Sequence, residues 1–361
     1  MTLDSLLSHA VRVKASDVHL KAGHPPLFRL HGYLVPHPEG VLIEENQLQA
    51  LAFGMLYDEQ KARFAERYEL DFSYTVPGIA RVRANLHYHL NGMGLVMRLI
   101  DDDPPTPEEI MLPAVLTALC KRPQGLVLLT GPTGSGKSTT LACMVGIINR
   151  SVRKHVLTIE DPVEFVHKSD QCVITQREVG AQTHSFANAL RAGLRQDPDV
   201  IMVGEMRDLE TIALAMTAAE TGHLVMSTLH TSSATQTIDR VIDVFPPAQQ
   251  QQVRTQLAST LTAVVSQRLL PRADSNGNVA AREIMMVNPA IAALIRDGNA
   301  HQIPNAIFSG ADQGMVSLDQ DLARLVRSGI VTLEVAATVA NDPMALTQLS
   351  QAAPAKRGLF G

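Results

Sequence analysis

The chain has 361 residues, enough for two domains with separate cores, and carries 31 basic against 36 acidic side chains for a net charge of -5. That balance disfavours an electrostatically driven nucleic-acid binder, and no apolar run approaches the roughly 20 residues needed to span a bilayer. The three cysteines, Cys120, Cys143 and Cys172, are isolated, which excludes a disulfide framework or a CxxC zinc knuckle and suits reduced thiols in the cytoplasm.

In chain order, residues 1–13 have no basic stretch before their apolar residues and predict an amphipathic helix, not an export signal. Phe28, Leu30 and Leu34 fall at even positions and predict a strand, with a helix at about 45–56. Residues 79–90 alternate most cleanly. Val82, Ala84, Leu86, Tyr88 and Leu90 share one face, while Arg81, Arg83, Asn85, His87 and His89 share the other. Pro77-Gly78 turns into this strand, and Asn91-Gly92 predicts a hairpin to a partner at about 94–100. Residues 1–100 are therefore expected to form an α+β domain whose antiparallel sheet has one basic face.

The acidic, proline-containing stretch 101–107 is the expected linker, because like charges and prolines defeat both helix and ladder. Thr106-Pro107-Glu108-Glu109 has the capping-box pattern of a helix start. Strands predicted at 126–130, 156–159, 200–203 and 224–228 alternate with helices, which argues for a parallel sheet covered by helices over a second domain, 108–344. From Pro247 the pattern predicts mainly helix, and the Ala- and Gln-rich residues 345–361 predict a frayed tail.

The 126–130 strand runs into a glycine-rich turn, Gly131, Pro132, Thr133, Gly134, Ser135, Gly136, Lys137, Ser138 and Thr139. Here the glycines let successive backbone N–H groups converge on one anion. Lys137 supplies a point charge for the β- and γ-phosphates, and Ser138 a hydroxyl for Mg2+. The helix predicted over 137–149 aims its positive end at the same phosphates.

Three further strand ends carry polar groups. Glu160, Asp161 and Glu164 follow the strand at 156–159 and could orient a water or act through a metal shell, although Asp161-Pro162 equally suits a turn. Glu205 follows the apolar run 200–203 in the manner of a Walker B acid, with Gly204 where an aspartate is usual. His223 and His230 flank the run at 224–228. His230, at its carboxyl end, is the better γ-phosphate sensor, and His223 equally suits a structural role. The arginine face of 79–90 would suit a triphosphate, or simply solvent in the case of Arg83.

Taken together, the phosphate loop, the acidic stretch TIEDPVEFVH (158–167), the GE-containing Walker B and the two-histidine stretch AAETGHLVMSTLHT (218–231) resemble the type II/IV secretion-system ATPases. Within them the likeness is to the PilT-like branch that retracts type IV pili in twitching motility. ASDVHL (15–20), RVRANLHYHLNGMGLVMR (81–98), QREVG (176–180) and ALRAGLRQDPDVIMVGEMRDLET (189–211) extend it over nearly the whole chain.

The resemblance implies a PAS-like N-terminal domain, a RecA-like ATPase domain, and a homohexameric ring that binds ATP and Mg2+ between the domains. Such rings work on an inner-membrane platform protein at its cytoplasmic face, in some cases beside a second retraction ATPase. By this likeness Lys137 and Ser138 hold phosphate and metal, Glu205 is the Walker B acid, Glu164 the base and His230 the sensor. Arg81, Arg83 and Arg98 match arginines that reach nucleotide across the ring, and Glu160, Asp161, His223 and Arg195 are secondary candidates. One motif departs from the branch. Its AIRNLIRE helix here reads Ala290-Ile291-Ala292-Ala293-Leu294-Ile295-Arg296-Asp297, which leaves a short assembly or secretion ATPase, or a PilU-like accessory motor, as the alternative. The long N-terminal extension and tetracysteine motif of assembly ATPases are not expected in this chain.

Overall fold

The computed structural model describes residues 2–100 and 103–351. Asp101 and Asp102 of the expected linker and residues 352–361 of the expected tail lie outside the described residues. The chain forms two compact units, one of Met1–Asp103 with Pro162–His167 and one of Pro104–Asp161 with Lys168–Gly361.

The first unit runs α1 (Leu3–Arg12), β1 (Asp17–Lys21), β2 (Leu27–Leu30), β3 (Tyr33–Pro36), α2 (Glu45–Gly54), α3 (Asp58–Arg67), β4 (Glu69–Val76), β5 (Ala80–His89) and β6 (Gly92–Ile100). Its six strands form an antiparallel sheet in the order β3-β2-β1-β6-β5-β4. Thr2 and Ser5 form a reciprocal capping box that starts α1 as the pattern predicts. Leu6 and Leu7 of α1, Leu48 of α2 and Phe64 of α3 bury against Val82, Ala84 and Leu86 of β5. The apolar face of β5 is thus covered by helices and its arginine face lies opposite.

Two expectations shift in this unit. The single strand through Phe28 and Leu34 is a hairpin instead, because His31 and Gly32 both adopt left-handed backbone, at φ 49° and 88°. In β5 the burial stops short: Tyr88 is half exposed and Leu90, at the hairpin tip, is fully exposed. Tyr88 instead stacks on Phe64, with ring centroids 5.1 Å apart.

The second unit contains α4 (Ala114–Leu119), β7 (Gly125–Thr130), α5 (Lys137–Ser151), β8 (His155–Glu160), β9 (Val173–Glu178), α6 (Phe186–Gly193), β10 (Val200–Val203), α7 (Leu209–Glu220), β11 (Leu224–Leu229), α8 (Ala234–Asp243) and α9 (Pro247–Thr260). It continues with β12 (Leu261–Pro271), β13 (Asn278–Met286), α10 (Pro289–Arg296), α11 (Ile303–Ser309), α12 (Leu318–Arg327), α13 (Leu333–Ala337) and α14 (Pro343–Gln351). The sheet order is β13-β12-β7-β11-β10-β8-β9, parallel except for the edge strand β13. One face is covered by α7, α8, α9 and α10 through Met216, Ile238, Leu257 and Ile291. The other is covered by α4 and α5 through Leu116, Leu141, Met144 and Ile148. Among the described residues no helix is long and apolar enough to cross a membrane.

The four parallel strands read from sequence are present, but β12 and β13 stand where mainly helix was expected, and β9 was not expected at all. The tail expected from residue 345 begins as helix: α14 runs to Gln351, and its Leu346 is buried against the C-terminal cluster with Leu318 and Leu322. The Thr106–Glu109 capping box forms, with Thr106 N–H donating to Glu109 Oε2 at 2.7 Å, yet it closes a turn rather than a helix. Met111 then takes left-handed backbone at φ 48°, and the helix waits for Ala114.

Buried Arg282 of β13 holds that turn, donating from Nη1 to the Met111 carbonyl at 3.2 Å and from Nη2 to the Ile110 carbonyl at 3.1 Å. Burial pushes this guanidinium down to about 10, still charged at neutral pH. Arg282→Met strands both carbonyls and is expected to cost about 2 kcal/mol, since buried acceptors lose a charged donor. The measurement is the unfolding midpoint against wild type, and an unchanged midpoint contradicts the clasp.

Candidate nucleotide site at the strand ends

All six residues of β7 are buried, and the chain leaves that strand through Gly131 at φ 143°, Gly134 at φ 77° and Gly136 at φ 83°. A Cβ on Gly131 would stand 2.5 Å from both the Gln267 carbonyl and Ser135 Oγ, so backbone angle and space both demand glycine. Gly136 is the N-cap of α5 and offers no side-chain acceptor to the helix. The first N–H groups of α5, around Ser138 and Thr139, are thereby left to a ligand. Between the glycines, Pro132 and Thr133 form the exposed crest of the loop.

Lys137 folds back over this curl. Its Nζ donates to the Gly131 carbonyl at 2.8 Å and the Pro132 carbonyl at 3.0 Å, and the residue is buried. Desolvation lowers its pKa, and the charge of Glu205 acts in the opposite direction. The ammonium therefore lies within the field of the Glu205 carboxylate.

Glu205 follows β10 directly. Gly204 N–H donates to the Ile159 carbonyl at 2.7 Å, and a Cβ at Gly204 would approach that carbonyl to 3.3 Å. This tight passage explains glycine where an aspartate is usual. Two bonds tie the β10 end to β11: Thr228 Oγ1 donates to the Gly204 carbonyl at 2.6 Å, and Met206 N–H to the Thr228 carbonyl at 3.2 Å. His230, just past β11, then lies with Nε2 3.3 Å from Glu205 Oε1, and Arg207 Nε donates to the same oxygen at 2.5 Å. Burial works to raise the Glu205 pKa, but Arg207 and His230 outweigh it and hold the carboxyl below its usual range. Because β7, β11 and β10 are adjacent and parallel, Lys137, His230 and Glu205 converge at the carboxyl edge of one sheet.

The remaining candidates separate. Glu160 ends β8 buried, accepting from Thr158 Oγ1 at 2.6 Å and Gln176 Nε2 at 3.1 Å, so its oxygen is engaged by its own unit. Asp161 is exposed within the field of Arg207. His223 sits at the amino end of β11, the edge opposite the phosphate loop, with Nδ1 2.9 Å from the Ala218 carbonyl. There it joins α7 to β11, the structural alternative that its sequence position offered. Arg195 is exposed in the turn after α6 that leads to the amino end of β10, also away from the loop.

Glu164, exposed in Pro162–His167, belongs to the first unit, as do the three arginines. Arg98 is engaged there. It pairs with buried Asp17, Nε to Oδ1 at 2.9 Å, and lies beside Arg83 in register across β6 and β5. Burial acts to raise Asp17, but the hydrogen bonds from Ser16 and Arg98 win and lower it. Arg81 and Arg83 share the same face of β5.

Sequence reasoning passed over two residues at the loop. Arg207 stands two positions from Glu205, close enough in sequence to have been weighed as its partner. Gln267 of β12 is fully buried and donates from Nε2 to the Ser135 carbonyl at 3.1 Å. No local signal announces it, because β12 itself was not foreseen.

With this geometry, residues 1–331 match the family described as type II/IV secretion system protein. The chain belongs to that family. It is 48% identical over 345 residues to the type IV pilus retraction ATPase PilT of Pseudomonas aeruginosa, covering 95% of this chain and 99% of that one. It is 46% identical over 313 residues to a twitching motility protein of Neisseria gonorrhoeae, covering 86% and 83% respectively. Among solved structures, the pilus retraction motor PilT with bound ADP superimposes with a TM-score of 0.90 at 42% identity, over 96% of this chain and 99% of that one. The type II/IV secretion fold thus accounts for both sheets described above.

Proposed function

We propose that this chain is an ATP-hydrolysing motor that powers type IV pilus retraction. The observation that carries the reading is the convergence of Lys137, Glu205 and His230 at the carboxyl ends of three adjacent parallel strands, beneath a loop that only glycine can make. Likeness to an ADP-bound retraction motor supports the same ligand. Residues 131–139 cradle the phosphates, Lys137 meets the β- and γ-oxygens, and His230 lies placed to sense the terminal phosphate. Ser138 and ionised Glu205 are oxygen donors of the kind Mg2+ takes, since that ion keeps few protein ligands. When bound it supplies neutralisation of phosphate charge.

Glu164 is the proposed base and Asp161 the second choice. Arg81, Arg83 and Arg98 are proposed to act on nucleotide of a neighbouring subunit, with Asp17 holding Arg98 in place. The reading carries with it a homohexamer with PAS-like and RecA-like domains, working through a platform protein at the cytoplasmic face of the inner membrane. The proposed partners include a second retraction ATPase and no nucleic acid.

The second reading, an assembly or secretion ATPase or a PilU-like accessory motor, rests on Ala292 and Ala293 in α10. That pair is half-buried, while Ile291 and Ile295 keep the helix packed. The change therefore alters a surface and leaves the fold alone. A null strain decides the direction of work. Surplus pili that do not retract, with ATPase activity in the purified protein, are expected; a strain without pili would assign assembly instead.

A further inference from the structure

We infer that Gln267 is a positioning residue that sets the phosphate-binding shape of the loop, an inference that rests on the nucleotide site proposed above. One residue of β12 touches both ends of the curl. Its backbone carbonyl packs against Gly131, where a Cβ would come within 2.5 Å, and its side-chain Nε2 donates to the Ser135 carbonyl at 3.1 Å. The neighbouring pair Thr130 Oγ1 and Ser266 Oγ, 2.8 Å apart, fixes the register that brings Gln267 there.

The consequence follows from peptide geometry. In a planar trans peptide the C=O of one residue and the N–H of the next point in opposite directions. Holding the Ser135 carbonyl down onto Gln267 therefore turns the Gly136 N–H up into the concavity where an anion would sit. Gly136, in left-handed backbone at φ 83°, has no side chain to fix that peptide plane by packing. Gln267 is fully buried, and its Oε1 has no hydrogen-bond partner among the described residues, so the amide orientation is set by the Ser135 bond. Arg268 ties the same strand to the histidine turn, donating from Nη2 to the Ser232 carbonyl at 3.3 Å. The brace thus belongs to the strand that also steadies the turn after His230.

Two variants test this by MgADP and MgATP titration, with steady-state hydrolysis alongside. Gln267→Met keeps the volume and removes the donor. Affinity for MgADP is expected to weaken about ten-fold and KM for ATP to rise with it, while kcat changes less, since one buried hydrogen bond shapes the ground-state cradle. Gln267→Glu removes the donor at pH 8 but restores an O–H donor when the buried acid protonates. Its MgADP affinity should recover towards wild type as the pH falls to about 6, because burial raises a carboxyl pKa. Affinities equal to wild type in both variants at pH 8 would overturn the inference, as would a Gln267→Glu defect that does not depend on pH. Loss of folding by both would make Gln267 a scaffold residue and overturn it equally. Wild-type protein that binds neither nucleotide would instead overturn the proposed site and so be told apart.

Discussion

Lys137→Ala is expected to lower ATP turnover by at least about a thousand-fold, at the upper end for losing one preorganised electrostatic donor. Lys137 is the one side-chain cation of the loop itself, and its Nζ is already committed to the Gly131 and Pro132 carbonyls before any phosphate arrives. The ammonium is therefore placed with its stem buried and its rotamer fixed, so little ordering remains to be done when a polyphosphate binds. Alanine removes the charge and also frees two carbonyls that now have a donor. Binding of MgADP should weaken along with turnover. The check is hydrolysis at saturating ATP together with the unfolding temperature of the apoprotein. Near-normal turnover would remove Lys137 from the site, and a collapsed apoprotein would assign it to the loop's own stability.

How much of this was legible in the sequence depends on what buries each element. The loop was readable because its glycines answer a local demand of backbone angle, and β5 because only one of its faces is covered, which leaves a clean alternation. β12 and β13 were not. Thr260 passes from α9 into Leu261 of β12 without a glycine or proline between them, so nothing marks the change of period. β13 reads Asn-Val-Ala-Ala-Arg-Glu-Ile-Met-Met, rich in helix formers, and buries residues on both faces, including the charged Arg282 and Glu283. Pairing with β12 overrides that local propensity. The same cause hid Gln267, whose role exists only because the strand runs beneath the loop. His223 was legible only as an open pair of alternatives: the flanking of one strand was plain in the sequence, but its bond to the Ala218 carbonyl comes from how α7 returns to β11.

Glu205→Gln is expected to leave MgADP and MgATP binding within about three-fold of wild type while hydrolysis falls by about a hundred-fold or more, the range for losing one preorganised electrostatic group at the transition state. The glutamine keeps an oxygen for Arg207 Nε and His230 Nε2, so the strand ends stay tied, and only the charge is lost. That separation is what distinguishes a chemical role from a structural one. The sign of the pH effect agrees. With the folded pKa held below the unfolded carboxylate value of about 4.3, the partnership with Arg207 and His230 is complete above that value. It is lost progressively as pH falls below that value towards the lower folded pKa, a loss that the glutamine variant should lack. Unfolding curves from pH 7 to pH 3 for both proteins supply the comparison. If Glu205→Gln instead abolishes nucleotide binding, the carboxylate shapes the loop through Lys137, and the Walker B assignment passes to another acid at the same sheet edge, with Asp161 first in line.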